Sequence, residues 1–215
     1  QRIHKAEGVD NRDRDEYLVV EQSADVPSTT EEEILGQRIH GDRSLGDEKG
    51  ANDFRISDMG TDGDGAYGAK TPHLAYNATN NEFLVVWSGD DDSGVLLDNE
   101  FEIYGQRLDG ATGAEIGNND FRLSDMGSDG NVGFEAKRPA VAWNNLANEY
   151  LVVWHGVFAG GALVVGENEI YGQRIFGDRS LGDEKGNNDF RISDMGPDGD
   201  ADFDANAPAE GCNPT

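Results

Sequence analysis

Three loops that carry carboxylates at one fixed spacing are the part of this sequence most suited to chemistry. The loops begin at Asp58, Asp125 and Asp194, and each has an acidic residue at positions 1 and 5, a glycine at position 6, and a carboxylate or amide at position 7. Calcium binds about six to eight hard oxygen atoms, and such a turn offers side-chain oxygens together with carbonyls that the glycine exposes. The predicted calcium ligands are Asp58, Asp62, Asp64, Asp125, Asp129, Asn131, Asp194, Asp198 and Asp200.

The same loops depart from the usual calcium pattern at two positions. Position 3 is glycine, and position 12 is alanine where a glutamate would be expected. Fewer charged ligands predict weaker binding, unless Glu135, Asp202 or another loop contributes. Asp-Gly turns also form corners with positive φ and Asx hydrogen bonds, so a turn without metal is the alternative interpretation. No histidine or cysteine lies in these loops, which disfavours a transition metal.

Acidic runs and repeated arginines form two further groups of charged residues. The runs at 90–92, with Asp98 and Glu100, and at 31–33 either form a second cation site or are solvated. The arginines are predicted to pair with the repeated aspartates across neighbouring strands. They are Arg38, Arg107 and Arg174 in one motif and Arg55, Arg122 and Arg191 in another.

The side chains that catalysis would need share no common arrangement. The four histidines fall at non-equivalent positions, and the sequence contains neither a recognisable triad nor a Gly-x-Ser-x-Gly elbow. Paired carboxylates are so abundant that they are not diagnostic of a glycosidase. Trp87, Trp143 and Trp154 lie in strand motifs, where we expect core packing rather than stacking on sugars. We therefore expect that the chain is not an enzyme.

The elements that position these loops follow from an internal repeat. A central apolar motif occurs at 17–21, 83–87 and 150–154, at spacings of 66 and 67 residues. A second motif contains Gly-Gln-Arg each time, and a third, NDFRISDMG, occurs three times with a single change, Ile56 to Leu123. A fixed period of this length is typical of repeat architectures.

Each repeat is predicted to contain four β-strands, A to D, separated by turns rich in Asn, Asp and Gly. In the second repeat we expect them at 72–77, 82–88, 102–109 and 119–125. Strand B is apolar on both of its alternating faces, which predicts that it is covered on both sides. Strand D alternates polar and apolar residues, as an outer strand facing partly toward water would.

Four short strands per repeat and a B strand covered on both faces favour the radially stacked blades of a β-propeller. The LVVW, IYGQR and NDFRISD motifs also resemble the blade repeats of large secreted or surface-attached bacterial and archaeal β-propeller proteins, over residues 16–208. This resemblance implies an all-β fold with blades at about 5–58, 72–125 and 139–194, and a location outside the cell or on its surface. The acidic loops are similar to the calcium loops of integrin-like propellers.

Three blades are too few to close a ring, because propellers usually need about four or more. Residues 206–213 align with the third A strand and predict an extra, degenerate A strand in which Cys212 replaces Trp143. Residues 6–10 stand where the first A strand is expected. We expect one propeller domain over 1–215, which is either a segment of a larger propeller or a protomer whose homo-oligomer completes the ring.

The composition limits the partners that this chain can have. Its 43 acidic and 17 basic residues give a net charge of −26, which repels nucleic acid and anionic membrane surfaces. No run of eighteen apolar residues is present, so we do not expect membrane insertion. The expected function is a non-catalytic, calcium-stabilised module for adhesion or assembly, with a protein or glycan surface ligand. A glycan-binding lectin is the alternative, and a polysaccharide hydrolase or lyase fragment is a third interpretation.

Overall fold

A computed structural model describes residues 6–11, 15–24, 30–46, 53–91, 96–158, 164, 166–178, 184–202 and 204–205. In these ranges every regular element is a β-strand, which confirms the all-β prediction. Nothing in the described part forms a helix able to cross a membrane. The predicted degenerate strand at 206–213 lies outside the described residues.

The strands form three antiparallel sheets that follow one another along the chain. The first sheet contains β1 (Ala6–Asn11), β2 (Glu16–Ser23), β3 (Glu33–His40) and two short strands that pair with β3, β4 (Leu45–Gly46) and β5 (Phe54–Arg55). The second contains β6 (Gly68–Asn77), β7 (Glu82–Asp90), β8 (Glu102–Asp109) and β9 (Glu115–Arg122). The third contains β10 (Ala136–Asn144), β11 (Glu149–Gly156), β12 (Glu169–Phe176) and β13 (Glu184–Arg191). Four strands per repeat were predicted correctly; in the first sheet the described parts of strand D are β4 and β5, and residues 47–52 lie outside the described residues.

Two predicted strand limits in the second repeat were wrong. Strand D, predicted at 119–125, is β9 and spans Glu115–Arg122, because it pairs with β8 directly after a tight turn at Gly113 (φ 77°). After Arg122 the chain leaves the ladder. Strand A begins at Gly68 rather than at 72, because a β-bulge after Lys70 lets the strand continue past its proline.

The glycine of the repeated Gly-Gln-Arg motif makes room for strand D. A Cβ atom at Gly105 would lie 3.2 Å from both the Phe121 ring and Leu123. At Gly36 the corresponding distances, to Phe54 and Ile56, are 2.8 Å. The motif therefore needs glycine because the aromatic side chain of the neighbouring strand packs directly on its backbone.

The second sheet is packed between the other two. On one face of β7, Phe83, Val85 and Trp87 join a core with the first sheet. On the other face, Leu84 and Val86 join a core with the third sheet. All nine residues of β7 are buried, so the prediction that strand B is covered on both sides is confirmed.

The two indole N–H groups of these cores bind sulfur atoms across the sheet interfaces. Trp87 donates to Met59 Sδ and Trp154 donates to Met126 Sδ, both at 3.4 Å. Both tryptophans are fully buried, and Trp143 packs against the second core. Core packing of the tryptophans, as predicted from the strand motifs, is confirmed.

The three sheets approach one another at their first strands. Strand β6 contacts both β1 and β10, whereas β9 and β13 share no comparable set of contacts in the part of the chain described here. Backbone N–H groups connect the sheets near this edge: Thr71 donates to Gln22 Oε1 at 3.1 Å and Arg138 to Ser88 Oγ at 2.9 Å. Thr71 and Arg138 both have left-handed φ angles, 53° and 54°, at equivalent bulges. The first strands are therefore a main line of contact between neighbouring sheets.

Candidate functional site

The predicted calcium loops lie in a cluster of charged side chains that each sheet repeats. In the second sheet, Arg122 is the last residue of β9, and Glu102 is the first residue of the neighbouring strand β8. The chain then turns through Ser124, Asp125 and Asp129 and returns to the same arginine. We call these five residues the Arg122 cluster.

Arg122 is the centre of this cluster because its guanidinium donates in three directions. Nη1 donates to Asp129 Oδ1 at 2.8 Å, and Nη2 donates to Glu102 Oε1 at 2.9 Å and to Asp125 Oδ1 at 3.2 Å. Nε donates to the Ser124 carbonyl at 2.8 Å. A planar guanidinium suits this fixed geometry better than an ammonium group would. The arginine thus fastens the acidic loop to the end of strand C.

Glu102 is the buried acceptor of the cluster. Its carboxylate accepts the Ser124 hydroxyl and the Met126 N–H, the latter at 2.9 Å, in addition to the Arg122 contact. Burial raises the pKa of Glu102, and these hydrogen bonds oppose the rise. Ser124 Oγ also accepts the N–H of Ile103 at 2.7 Å, so the serine satisfies one donor of strand C as well.

The first and third sheets contain the same cluster. Arg55 Nη1 contacts Asp62 at 2.5 Å and Nη2 contacts Glu33 at 2.7 Å. Arg191 makes the equivalent contacts to Asp198 and Glu169, at 2.8 and 2.7 Å. Burial raises the pKa of Glu33, as in the second sheet. At Glu169 burial is the largest single influence and favours a higher pKa, but the hydrogen bonds from Ser193, Met195 and Arg191 together outweigh it and leave the pKa lowered.

The nine predicted calcium ligands are therefore brought together in three groups, one per sheet. In each group the first two aspartates contact one arginine through Oδ1, and the third residue accepts the N–H two positions later at 3.1 Å. Within the described ranges no set of three or more His, Cys, Asp or Glu side chains has an arrangement that could hold a metal ion. In this arrangement the positive charge that contacts these carboxylates is the guanidinium of the strand D arginine. Calcium binding stays a prediction.

The predicted pairing of arginines with aspartates holds for one arginine motif only. The strand D arginines pair with the aspartates three and seven positions later, and also with a glutamate of strand C. The strand C arginines pair with glutamates instead: Arg38 with Glu16 at 2.7 Å and Arg107 with Glu82 at 2.6 Å. The glutamate lies one position before the central apolar motif, a repeated signal that the sequence interpretation missed.

The acidic runs between strands B and C contribute glutamates that bind the backbone of the acidic loops. Glu100 accepts the Gly130 N–H at 2.8 Å, and Glu31 accepts the Gly63 N–H, so each holds the Asp-Gly turn of its own sheet. Asp90 is buried and burial raises its pKa to about 6. Asp92 lies outside the described residues. The choice between a second cation site and solvated acids therefore stays open.

Two aspartates that the sequence interpretation did not select connect neighbouring sheets. Asp120 Oδ2 accepts the N–H of Asp58 at 2.8 Å, and Asp189 Oδ2 accepts the N–H of Asp125 at 2.9 Å. The other carboxylate oxygen of each is buried without a hydrogen-bond partner. Burial raises the pKa of both groups to about 7. Repetition in the NDFRISD motif was the available signal, but it did not distinguish this role from a surface position.

Replacing Ser124 with alanine is expected to lower the free energy of unfolding by about 2 to 4 kcal/mol, since a buried carboxylate oxygen and the Ile103 N–H both lose a partner. The equivalent change Ser193→Ala is the matched control. Ser193 makes the same contacts in a half-buried position, where water can replace the hydroxyl, so we expect a loss of about 1 kcal/mol. Urea unfolding measures both, and equal losses would contradict the assigned role of burial.

Comparison with known proteins adds information on the fold. No protein-family model matches the chain, and no curated protein matches its sequence. Among solved structures, the chain is similar to an N-acetylgalactosamine deacetylase from F. plautii, determined in complex with blood group B trisaccharide. The TM-score is 0.54 at 15% sequence identity, and the match covers 93% of this chain but 56% of the deacetylase chain. The chain thus spans about half of that protein, and at this identity the likeness supports the fold alone.

Proposed function

We propose that this chain is a segment of a β-propeller that acts as a non-catalytic binding or assembly module, outside the cell or at its surface. The observation that carries the proposal is the stack of three antiparallel sheets, packed face to face with extensive contacts from their first strands. Radial stacking of four-stranded sheets is the arrangement of propeller blades. Such a scaffold presents loops at its rims to a partner, and its partner here is a protein or glycan surface ligand.

The use of the polar side chains supports a structural role for the repeated clusters. The recurring serine donates to a buried glutamate in all three sheets, and each strand D arginine contacts three carboxylates or more. Ser124 is buried and already accepts a backbone N–H, so it is unsuited to attack a substrate.

We also propose weak calcium binding at the three acidic loops. Aspartates such as Asp62 and Asp129 contact arginine through Oδ1 and are exposed to solvent, so the second oxygen can face an ion from the outside. Few protein ligands with several waters imply a dissociation constant on the order of 10⁻⁴ to 10⁻³ M, the range of extracellular modules.

Calcium at millimolar concentration is therefore expected to release or absorb measurable heat in calorimetry and to raise the melting temperature, and EDTA is expected to reverse the rise. The variant Asp129→Ala/Asn131→Ala removes two predicted ligands from one loop and should reduce the stoichiometry of binding by one site. Magnesium at the same concentration is the control for screening of charge. No heat and no effect of EDTA on melting would contradict the calcium proposal without affecting the proposed fold.

Glycan binding is the second candidate, and it is supported only by the ligand of the similar deacetylase structure. A glycan array with the purified chain tests it directly, and specific binding to one glycan class would favour the lectin. A parallel assay for release of acetate or reducing sugar from polysaccharides tests the non-catalytic proposal. Turnover that disappears in a loop variant but persists through purification would contradict it.

A further inference from the structure

The outer face of the third sheet exposes apolar side chains that the middle sheet buries. In the middle sheet, Leu84, Leu123 and Met126 are at most 1% exposed because the third sheet covers them. Their equivalents in the third sheet are 39%, 50% and 49% exposed. These equivalents are Leu151, Ile192 and Met195. The face thus retains the apolar half of an interface that the chain forms twice internally.

Polar side chains on the same face also lack the next-sheet partners that their equivalents have at the two internal interfaces. At the two internal interfaces, the side chains of Gln22 and Ser88 accept a backbone N–H from the next sheet. The third sheet has His155 at this position, and its Nε2 is buried without a hydrogen-bond partner. Arg107 likewise donates to the Phe176 carbonyl of the next sheet at 2.5 Å, whereas the equivalent Arg174 has a side chain that is 46% exposed.

The opposite end of the stack does not match this face. The first sheet presents Gly8, Asp10 and Glu21 at the positions where the second presents Leu74, Tyr76 and Trp87. If the first sheet of a second copy covered the third sheet, the Glu21 carboxylate would face Met195 in place of an indole N–H. Burying a carboxylate there without a donor is unfavourable. Tyr17 and Val19 on that face do match their equivalents in the second sheet, so Glu21 is what makes the first sheet a poor partner for the third sheet.

We propose that the outer face of the third sheet binds a further β-sheet of the same repeat, which presents an aromatic residue, valine and tryptophan from its second strand. The tryptophan of the incoming sheet donates to Met195 Sδ, as Trp87 and Trp154 do to Met59 and Met126. The first sheet of another copy is not the partner, because it carries Glu21 at that position. This proposal rests on the stacked-sheet scaffold proposed above. It specifies which side chains the next sheet of the stack presents.

Oxidation of the three methionines tests the proposal residue by residue. Each methionine lies at the same place in its sheet, and hydrogen peroxide converts an accessible one to the sulfoxide. In the chain alone, peptide mass analysis is expected to show that Met195 oxidises severalfold faster than Met59 and Met126. A four-sheet variant, with residues 136–205 repeated after residue 204 and its added methionine changed to leucine, should protect Met195 to the level of the other two.

A second variant identifies the group that provides the protection. In it, the copy of Trp154 in the added sheet is replaced by glutamate, the residue at the equivalent position of the first sheet, and we expect Met195 to regain much of its oxidation rate. If Met195 stays reactive in the four-sheet variant, the proposal is overturned, whether or not the added segment folds elsewhere. Protection of Met195 in the unmodified chain that grows with protein concentration would also overturn it, since self-association would then cover the face. Rapid oxidation of Met59 or Met126 would instead contradict the stack itself.

Discussion

Replacing Arg107 with methionine is expected to lower the free energy of unfolding by about 3 to 5 kcal/mol, which is the cost of leaving one buried charge without its partner. Arg107 and Glu82 are 2.6 Å apart, and their side chains are 1% and 0% exposed. The Tyr150 hydroxyl also donates to Glu82, and the arginine lies over the Tyr150 ring at 5.6 Å. Without the guanidinium, the Glu82 carboxylate stays buried between two sheets, and its remaining hydrogen bonds do not offset the cost of burying its charge. Urea unfolding at neutral pH measures the loss.

The equivalent arginine of the third sheet provides the matched control. Arg174 is half exposed and lies 4.0 Å from Glu149, so Arg174→Met is expected to cost less than about 1 kcal/mol. The double variant Arg107→Met/Glu82→Gln should recover more than half of the loss, because the unpaired charge has been removed. If the two single variants differ by less than about 1 kcal/mol, the buried pair does not have the assigned importance.

Changing Asp120 to asparagine is expected to stabilise the chain at pH 8 and to have little effect at pH 4. The pKa of Asp120 is raised from 3.8 to about 7, chiefly by burial and further by Glu33, Glu115 and Asp58. The folded state therefore holds a proton that the unfolded state releases, so its contribution to stability is full below pH 3.8 and is lost as the pH rises through about 7. The pKa shift corresponds to at most about 4 kcal/mol of stability. We expect Asp120→Asn to raise the free energy of unfolding at pH 8 by about 2 to 4 kcal/mol.

The measurement is a melting temperature at each pH between 4 and 8, with EDTA present so that divalent ions do not compensate the charge. Asparagine keeps an oxygen that can accept the Asp58 N–H, so the contact between the sheets is retained. Asp189→Asn should behave in the same way at the second interface. Asp53→Asn is the control, because Asp53 occupies the equivalent position in the first sheet and is exposed. If the wild type and Asp120→Asn lose stability in parallel as the pH rises, the assigned interface charge is wrong.

The strand pattern of this chain could be read from the sequence because it is local. Alternation along β7 reflects a side-chain period of two, and it correctly predicted a strand buried on both faces. The limits of strand D could not be read in this way. The residues before the NDFRISD motif pair with β8 only because the turn at Gly113 directs them back onto it.

The contacts between sheets were not visible in the sequence, for a physical reason. Thr71 and Arg138 perform the same task with unlike side chains, because each donates its backbone N–H from a left-handed bulge. The acidic loops and their pairing with the strand D arginines were predicted, but as contacts across neighbouring strands and not within each loop. A turn such as Asp58 to Asp62 has the same sequence whether its neighbour is calcium or the guanidinium of Arg55. The constant spacing of arginine and aspartate, three and seven positions apart, could have indicated the ion pairs.

The sharing of each strand D arginine among several carboxylates has a consequence for the medium in which this molecule is stable. With 17 basic side chains for 43 acidic ones, internal ion pairs can balance fewer than half of the carboxylates. In dilute buffer the Debye length is about 30 Å, so like charges on all three sheets repel one another through the solvent, whereas at molar ionic strength it is about 3 Å. Dissolved ions, more than the protein's own cations, therefore balance its surface, and the free energy of unfolding is expected to rise with ionic strength.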